Sequence, residues 1–202
     1  MSTTPYHHGS LRQVLLEEGR LVLAERGVAA VTLRELARRA GVSHAAPLRH
    51  FPDREALLDA IAAKGFDELT AALESADAPT DLHERLSVYS HTHVRFALAN
   101  AALMELMFSR DLNPGTGGAA AQSAARFFTL GAQLLGETDP QAPGPLPYLL
   151  TGMLEGLSSL AARGRLPQDR VEEITSAAVE VMLPAIQKQL RHSPAAGDRR
   201  TP

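Results

Sequence analysis

Apolar residues along this chain return at helical spacing and nowhere alternate at period two. Leu11, Val14, Leu15, Leu21 and Val22 fall roughly on one helical face behind "SLRQ" at 10–13. That tetrapeptide reads as a capping box, with Ser10 as N-cap and Gln13 reaching back, and Gly27 ends the helix. "TLRE" at 32–35 is a second capping box and predicts a short helix to about Ala40, stopped by Gly41. Ser43 caps a third, very short helix to about Phe51, and Asp53 in "PDRE" starts a fourth toward residue 75. Longer units follow over 80–100, 101–111, 119–136, 148–163 and about 168–190, parted by "NPGTGG" at 113–118, "ETDPQAPGPLP" at 137–147 and "RGRLP". Pro184 is expected to bend or end the last helix, since it lacks an N–H and clashes with the preceding turn. The tail from His192 is polar, with the composition of a disordered end. The pattern predicts an all-α protein of about nine helices.

Composition supports this reading. Hydrophobic residues make up 45% and aromatics 4%, and the abundant alanine and leucine are strong helix formers. The chain has no cysteine, which excludes a disulfide framework and a thiolate metal site. No basic segment followed by an apolar run opens it, and no stretch nears the ~20 apolar residues of a membrane span. A cytoplasmic protein without membrane attachment is expected. Residues 1–64 hold nine Lys/Arg against seven Asp/Glu, a net of +2, while 65–202 hold eleven against sixteen, a net of −5. The asymmetry hints weakly at a polyanion partner for the first third.

The dense joint between the second and third helices carries the functional signal. Leu36 and Ala37 face inward, and Ala37 must be small where the next helix crosses. Gly41 can take the positive φ of a tight turn, Val42 plugs its interior, and Ser43 caps a helix which, if the spacing is that of a helix-turn-helix, would enter a major groove about 12 Å wide. An ordinary helix hairpin also places Gly and Ser at its turn.

From Tyr6 to about Gly65 the chain resembles the N-terminal DNA-binding domain of TetR/AcrR-type transcriptional regulators, on the strength of "TLRELARRAGVSHAAPLRHFPDREALL". "YHHGSLR" at 6–12 is similar to the opening of the subgroup named for a Trp-His-Gly motif in its C-terminal domain. The resemblance implies a homodimer on a palindromic operator in double-stranded DNA, with a C-terminal helical domain that senses a small-molecule effector. It divides the chain into an arm (1–9), a three-helix helix-turn-helix domain (10–65, the motif itself about 32–51), a larger helical ligand-binding and dimerisation domain (66–191) and a tail (192–202).

Carried over by residue, the resemblance assigns Thr32 and the N–H groups it caps to a phosphate. Ser43, His44, Ala45 and Ala46 form the leading edge of the recognition helix. His44 can hydrogen-bond a base edge, and the alanine methyls can touch thymine methyls. Arg49 and His50 are assigned to phosphates, as is Arg54, which stands where the family usually has a lysine. On this basis Arg49→Ala and Arg54→Ala should act alike. Leu48 replaces the family's usual tyrosine, whose hydroxyl reaches the DNA backbone, and the lost hydrogen bond should weaken binding by roughly 0.5–1.5 kcal/mol. Glycine is common at position 45 or 46, and both are alanine here. The arm Tyr6-His7-His8 either reaches DNA or simply leads into the first helix with Tyr6 as a staple.

In the second domain the resemblance places the pocket within 82–136. The candidates are Tyr89, His91, His93, Met104, Met107, Phe108, Phe127 and Phe128, each of which could equally be plain core. One of His91 and His93 is expected to face the interior, because residues two apart on a helix diverge. The Trp-His-Gly motif falls at Thr151, Glu155 and Gly156, with only the glycine kept. An inward Glu155 would suit a cationic or hydroxyl-bearing ligand, whereas glutamate more commonly lies on a solvated face. Leu150, Met153, Leu154, Leu157, Leu160, Ile174, Ala178, Val181 and Met182 are candidates for a four-helix dimer interface, with Leu157 and Ala178 nearest the dyad. The chain thus reads as a ligand-responsive regulator, a repressor released by its effector, with no cofactor and no metal. The rival is a helical small-molecule-binding protein or enzyme that does not bind DNA. An enzyme would want a nucleophile–base set, a phosphate-cradling glycine loop or paired carboxylates, and none is evident in the sequence.

Overall fold

The computed structural model describes residues 8–76, 80–110, 112, 117–137 and 139–192. Among these the regular structure is entirely helical, in eight α-helices with short 3₁₀ turns. The expectations for Tyr6, His7 and the tail beyond His192 lie outside the described residues.

Local signals set most helix ends. α1 (His8–Arg26) begins two residues before Ser10, and Gln13 donates to Glu17 Oε1 at 3.1 Å rather than reaching back, so "SLRQ" is not the capping box its letters suggest. α2 (Leu33–Arg39) is capped by Thr32, whose Oγ1 accepts from Glu35 N at 3.2 Å. The reciprocal half of this box is not made, because the Glu35 carboxylate is held by Arg26, Arg38 and Arg39. Gly41 closes α2 with φ of 67°, while its N–H reaches Arg38 O and that of Val42 reaches Ala37 O at 3.0 Å. That pair of bonds uses two otherwise orphaned carbonyls and turns the chain sharply.

α3 (Arg54–Glu74) is capped by Asp53, whose Oδ1 accepts from Ala56 N at 2.8 Å. α4 (Leu82–Ala99) is capped by Asp81, and α5 (Ala101–Phe108) follows after a break at Asn100. α6 (Ala119–Leu134) takes its cap from another helix: Asp59 Oδ2 accepts from Ala119 N at 2.8 Å. α7 (Pro145–Ala162) starts three residues earlier than expected, with Pro145 at the first helical position, where a missing N–H is harmless. α8 (Val171–His192) continues past Pro184. The expected early end is not seen; Pro184 lies on the solvent side, where water can satisfy the carbonyl left without its N–H.

The helices form two compact units. One contains the chain up to Phe66 together with Ala102–Ala124; its core includes Leu15, Val22, Leu36, Ala37, Leu57, Phe66 and Met107, all fully buried. Gly65 permits α5 to approach, since a Cβ there would lie 2.6 Å from the Met107 sulfur, and Phe108 meets Phe66 edge to face at 5.4 Å. The other unit comprises Asp67–Ala101 and the residues from Ala125 onward, in which α4 packs against both α7 and α8.

Candidate nucleic-acid interface and effector core

The segment after Gly41 is not an α-helix. Residues 44–46 form a turn and Pro47–Arg49 a 3₁₀ turn, closed by Ala46 N to Ser43 O at 3.0 Å, Arg49 N to Ala46 O and His50 N to Pro47 O at 2.9 Å. Pro47 has no N–H to offer Ser43, so the carbonyl is satisfied one residue earlier and the coil tightens to three residues per turn. Pro47 itself is buried, and Phe51 behind it is buried under the Arg12 guanidinium, 5.2 Å above the ring. Ser43, His44, Ala45, Leu48 and Arg49 all face solvent, while Ala46 and His50 are half-buried. Val42 is half-buried rather than a sealed plug.

The cations of this unit divide into two groups. Arg26, Arg38 and Arg39 converge on Glu35, and Arg39 also reaches Glu25 and, at 3.7 Å, Glu18. These guanidinium hydrogen bonds, that of Arg38 foremost, hold the Glu35 carboxyl down to about 2. Lys64 pairs with Glu17 at 2.9 Å and Arg110 with Glu55 at 2.9 Å. Arg54 donates from Nε to Val31 O at 2.8 Å and from Nη2 to Val28 O at 2.6 Å. It clasps the start of α3 to the segment leading into α2, so the expectation that Arg54 stands as free as Arg49 is corrected. Among the described residues Arg34 and Arg49 make neither ion pair nor hydrogen bond, and Arg12 rests on Phe51 alone. Arg34, in the exposed first turn of α2, and Arg12 were passed over in the sequence. Their signal was the lack of a carboxylate at ion-pair spacing, which is legible only once every other cation has been paired.

In the second unit, α4 and α7 carry two matched polar pairs one turn apart. The Thr151 side chain acts on the buried Tyr89 phenol, and His93 Nε2 lies 3.3 Å from Glu155 Oε1. Both Tyr89 and His93 are buried, and burial pushes the Tyr89 phenol well above its usual value. His93 Nδ1 is buried with no partner. The His93 ring lies 6.3 Å from Tyr89 and 6.1 Å from Phe127, which meets Phe128 edge to face, and Phe128 in turn packs at 4.3 Å on Tyr148. His93 is thus the inward histidine, while His91 bonds Ser176 on α8 at 3.1 Å. Met104, Met107 and Phe108 belong to the first unit, so the nominated pocket residues do not form one group. Two open clefts also lie in the second unit, about 400 Å³ between α3 and α6 and about 350 Å³ between α4 and the start of α8; of the nominated residues His91 alone lines either.

The dimer-face expectation is corrected in part. Leu150, Leu154 and Leu157 are buried in the protomer's own core, because α7 turns them inward with Thr151. The outward stripe of α7 is Leu149, Gly152, Met153, Gly156 and Leu160, with Leu149 59% exposed and open space at both glycines. On α8, Ile174, Ala178 and Met182 are half-buried and Val181 is 74% exposed. The sequence signal was that α7 is apolar all round, which calls for cover on both faces.

A family model described as bacterial regulatory proteins, tetR family, matches residues 15–61, the stretch that holds the later part of α1, α2, the 3₁₀ turn and the start of α3. A solved structure from Rhodococcus sp. RHA1, titled as a protein with unknown function, is 38% identical over 91% of this chain and 98% of its own, with a TM-score of 0.77. Residues 15–61 thus carry the tetR-family regulatory segment. A TetR transcriptional regulator from Rhodococcus sp. RHA1 shares the fold at 20% identity, over 88% of this chain and 98% of that one, with a TM-score of 0.65. The fatty acid degradation regulator FadR from Bacillus halodurans does so at 14% identity, over 89% and 96%, with a TM-score of 0.64. No curated protein matches the sequence. The matched segment and the shared fold support a DNA-binding regulator, and tetR-family regulators bind DNA and dimerise. Among its described residues no helix is long and apolar enough to cross a membrane, and no group of three His, Asp or Glu side chains could hold a metal ion.

Proposed function

We propose that this chain is a TetR-family, effector-released repressor that binds a palindromic operator as a homodimer. The observation that carries the reading is the pairing of an exposed recognition turn with unneutralised cations in a unit whose other cations are mostly held in place. In each protomer Ser43, His44, Ala45, Ala46 and Leu48 enter the major groove, His44 hydrogen-bonds a base edge, and Thr32, Arg49 and His50 meet phosphates. Arg34 and Arg12 add two phosphate contacts, and Arg54 positions α3 instead of adding a third. The outward stripes of α7 and α8 pair with their copies about a two-fold axis. Two recognition turns then lie about 34–36 Å apart, one turn of DNA.

The effector binds at the buried ladder Tyr89–Thr151 and His93–Glu155. A carboxylate oxygen accepts, so His93 Nε2 donates to Glu155, and buried Nδ1 is the ring position left open to a ligand. Leaving it unpaired costs about 1–3 kcal/mol, which a hydrogen-bonding group of a ligand would recover. An effector with an apolar skeleton, suited to Tyr89 and Phe127, and one such group fits here. The test is a gel shift with the DNA upstream of the protein's own gene at two salt concentrations. Retardation that weakens with salt supports the reading, because neutralised phosphates release counterions. Absence of retardation, or indifference to salt, refutes it.

A further inference from the structure

The chemistry of the recognition turn narrows what it can read. At three residues per turn, side chains three apart line up, so residues 44, 47 and 50 form one row, 45 and 48 a second, and 46 and 49 a third. Burial of Pro47 fixes how these rows face: the first is anchored at Pro47 alone, with His50 half-buried and His44 exposed at its start, and the second, Ala45 and Leu48, stands outward along its length. Leu48 is 54% exposed, an apolar side chain set at the tip of a surface otherwise flanked by Arg49 and His44. Neither Ala45 nor Leu48 can donate or accept a hydrogen bond. In the major groove the one apolar group on the standard bases is the thymine 5-methyl.

We infer that the Ala45–Leu48 ridge reads thymine methyl groups, so that each operator half-site presents one or two thymines to this ridge. The inference rests on the DNA-binding reading above. Leu48 then supplies sequence discrimination, whereas a tyrosine there would add a backbone hydrogen bond and leave the methyls less closely covered. Arg49, one residue on, holds the ridge against the groove through the adjacent phosphate.

The experiment uses the full-length protein. A high-affinity duplex is first selected from a randomised library, and each thymine in it is then replaced singly by uracil, which removes only the methyl. At one or two positions per half-site, affinity should fall about three- to fivefold per methyl, the factor that burial of one such group supplies. In Leu48→Ala that penalty should shrink toward onefold while the penalties of base changes facing His44 persist; Leu48 is exposed, so this variant keeps its fold. If a duplex is selected but uracil is tolerated at every position, the inference is overturned and the DNA-binding reading stands. If no duplex is selected at all, the DNA-binding reading itself falls.

Discussion

Replacing Arg54 by alanine separates a clasp from a DNA contact. The variant loses two hydrogen bonds, at 2.8 Å to Val31 O and 2.6 Å to Val28 O, which fix the start of α3 to the strand of chain before α2. A charged donor contributes roughly 1.5–3 kcal/mol per bond when sheltered. The Arg54 side chain is 38% exposed and solvent screens its charge, so about 1–2 kcal/mol in total is the fair expectation. For a chain of this length that corresponds to a fall of about 2–8 °C in Tm. Arg49→Ala should do the opposite. It breaks no bond among the described residues, so Tm should hold, while the salt dependence of DNA binding should become shallower by about 0.9 per protomer, or about 1.8 per dimer. The assay is thermal unfolding by circular dichroism beside binding titrations at several salt concentrations. If Arg54→Ala keeps the wild-type Tm and flattens the salt slope as Arg49→Ala does, the clasp is wrong and the two arginines are equivalent after all.

Asp59→Ala removes the carboxylate that caps α6 at Ala119 N, and should lower stability by about 0.5–2 kcal/mol in chemical denaturation. Val181→Glu should convert the dimer to monomer in sedimentation velocity with the fold intact, whereas Leu157→Ala should leave the dimer and cost the protomer about 2–5 kcal/mol. Glu35 has its folded pKa depressed from 4.5 to about 2, so the stabilisation it supplies is whole above 4.5 and lost as pH falls toward 2. Urea titrations across that window should show a pH dependence that Glu35→Gln reduces.

The fold was legible because helix stops and spacing agree along the chain. Gly41 marks the turn by its letter alone, and the structure adds the closing hydrogen bonds to Ala37 and Arg38; the expected Ser43 cap is corrected, since the 3₁₀ turn begins after Ala46 with no side-chain cap. Two kinds of feature were hidden. One was competition for partners: Glu35 looked like half of a capping box, yet three arginines claim it, and Arg54 looked like a phosphate contact, yet two carbonyls hold it. Arg38 and Arg39 stand at helical spacing from Glu35 and so compete with the capping-box reading, whereas the Arg54 partners, 23 and 26 residues away, leave no periodic trace. The other was the choice between faces of a helix that is apolar all round. Leu150, Leu154 and Leu157 and the stripe from Leu149 to Leu160 are equally hydrophobic in sequence, and only packing against α4 decides which is inward. Proline misled in both directions, since Pro184 is tolerated inside α8 and Pro47 converts a short helix into a 3₁₀ turn. For the buried ladder, the spacing of Tyr89 from His93 and of Thr151 from Glu155 is one helical turn in each case. The pairing was therefore available to a reader who already knew that α4 and α7 touch.

The claim at the centre is that the exposed turn after Gly41, with the start of α2, is the surface that meets DNA. Hydrogen–deuterium exchange of the full-length protein, with and without a selected duplex, tests it directly. The account predicts that slowed exchange on binding is greatest over residues 43–50 and over the first turn of α2. Protection confined to other helices, with residues 43–50 exchanging as they do in the free protein, would contradict it.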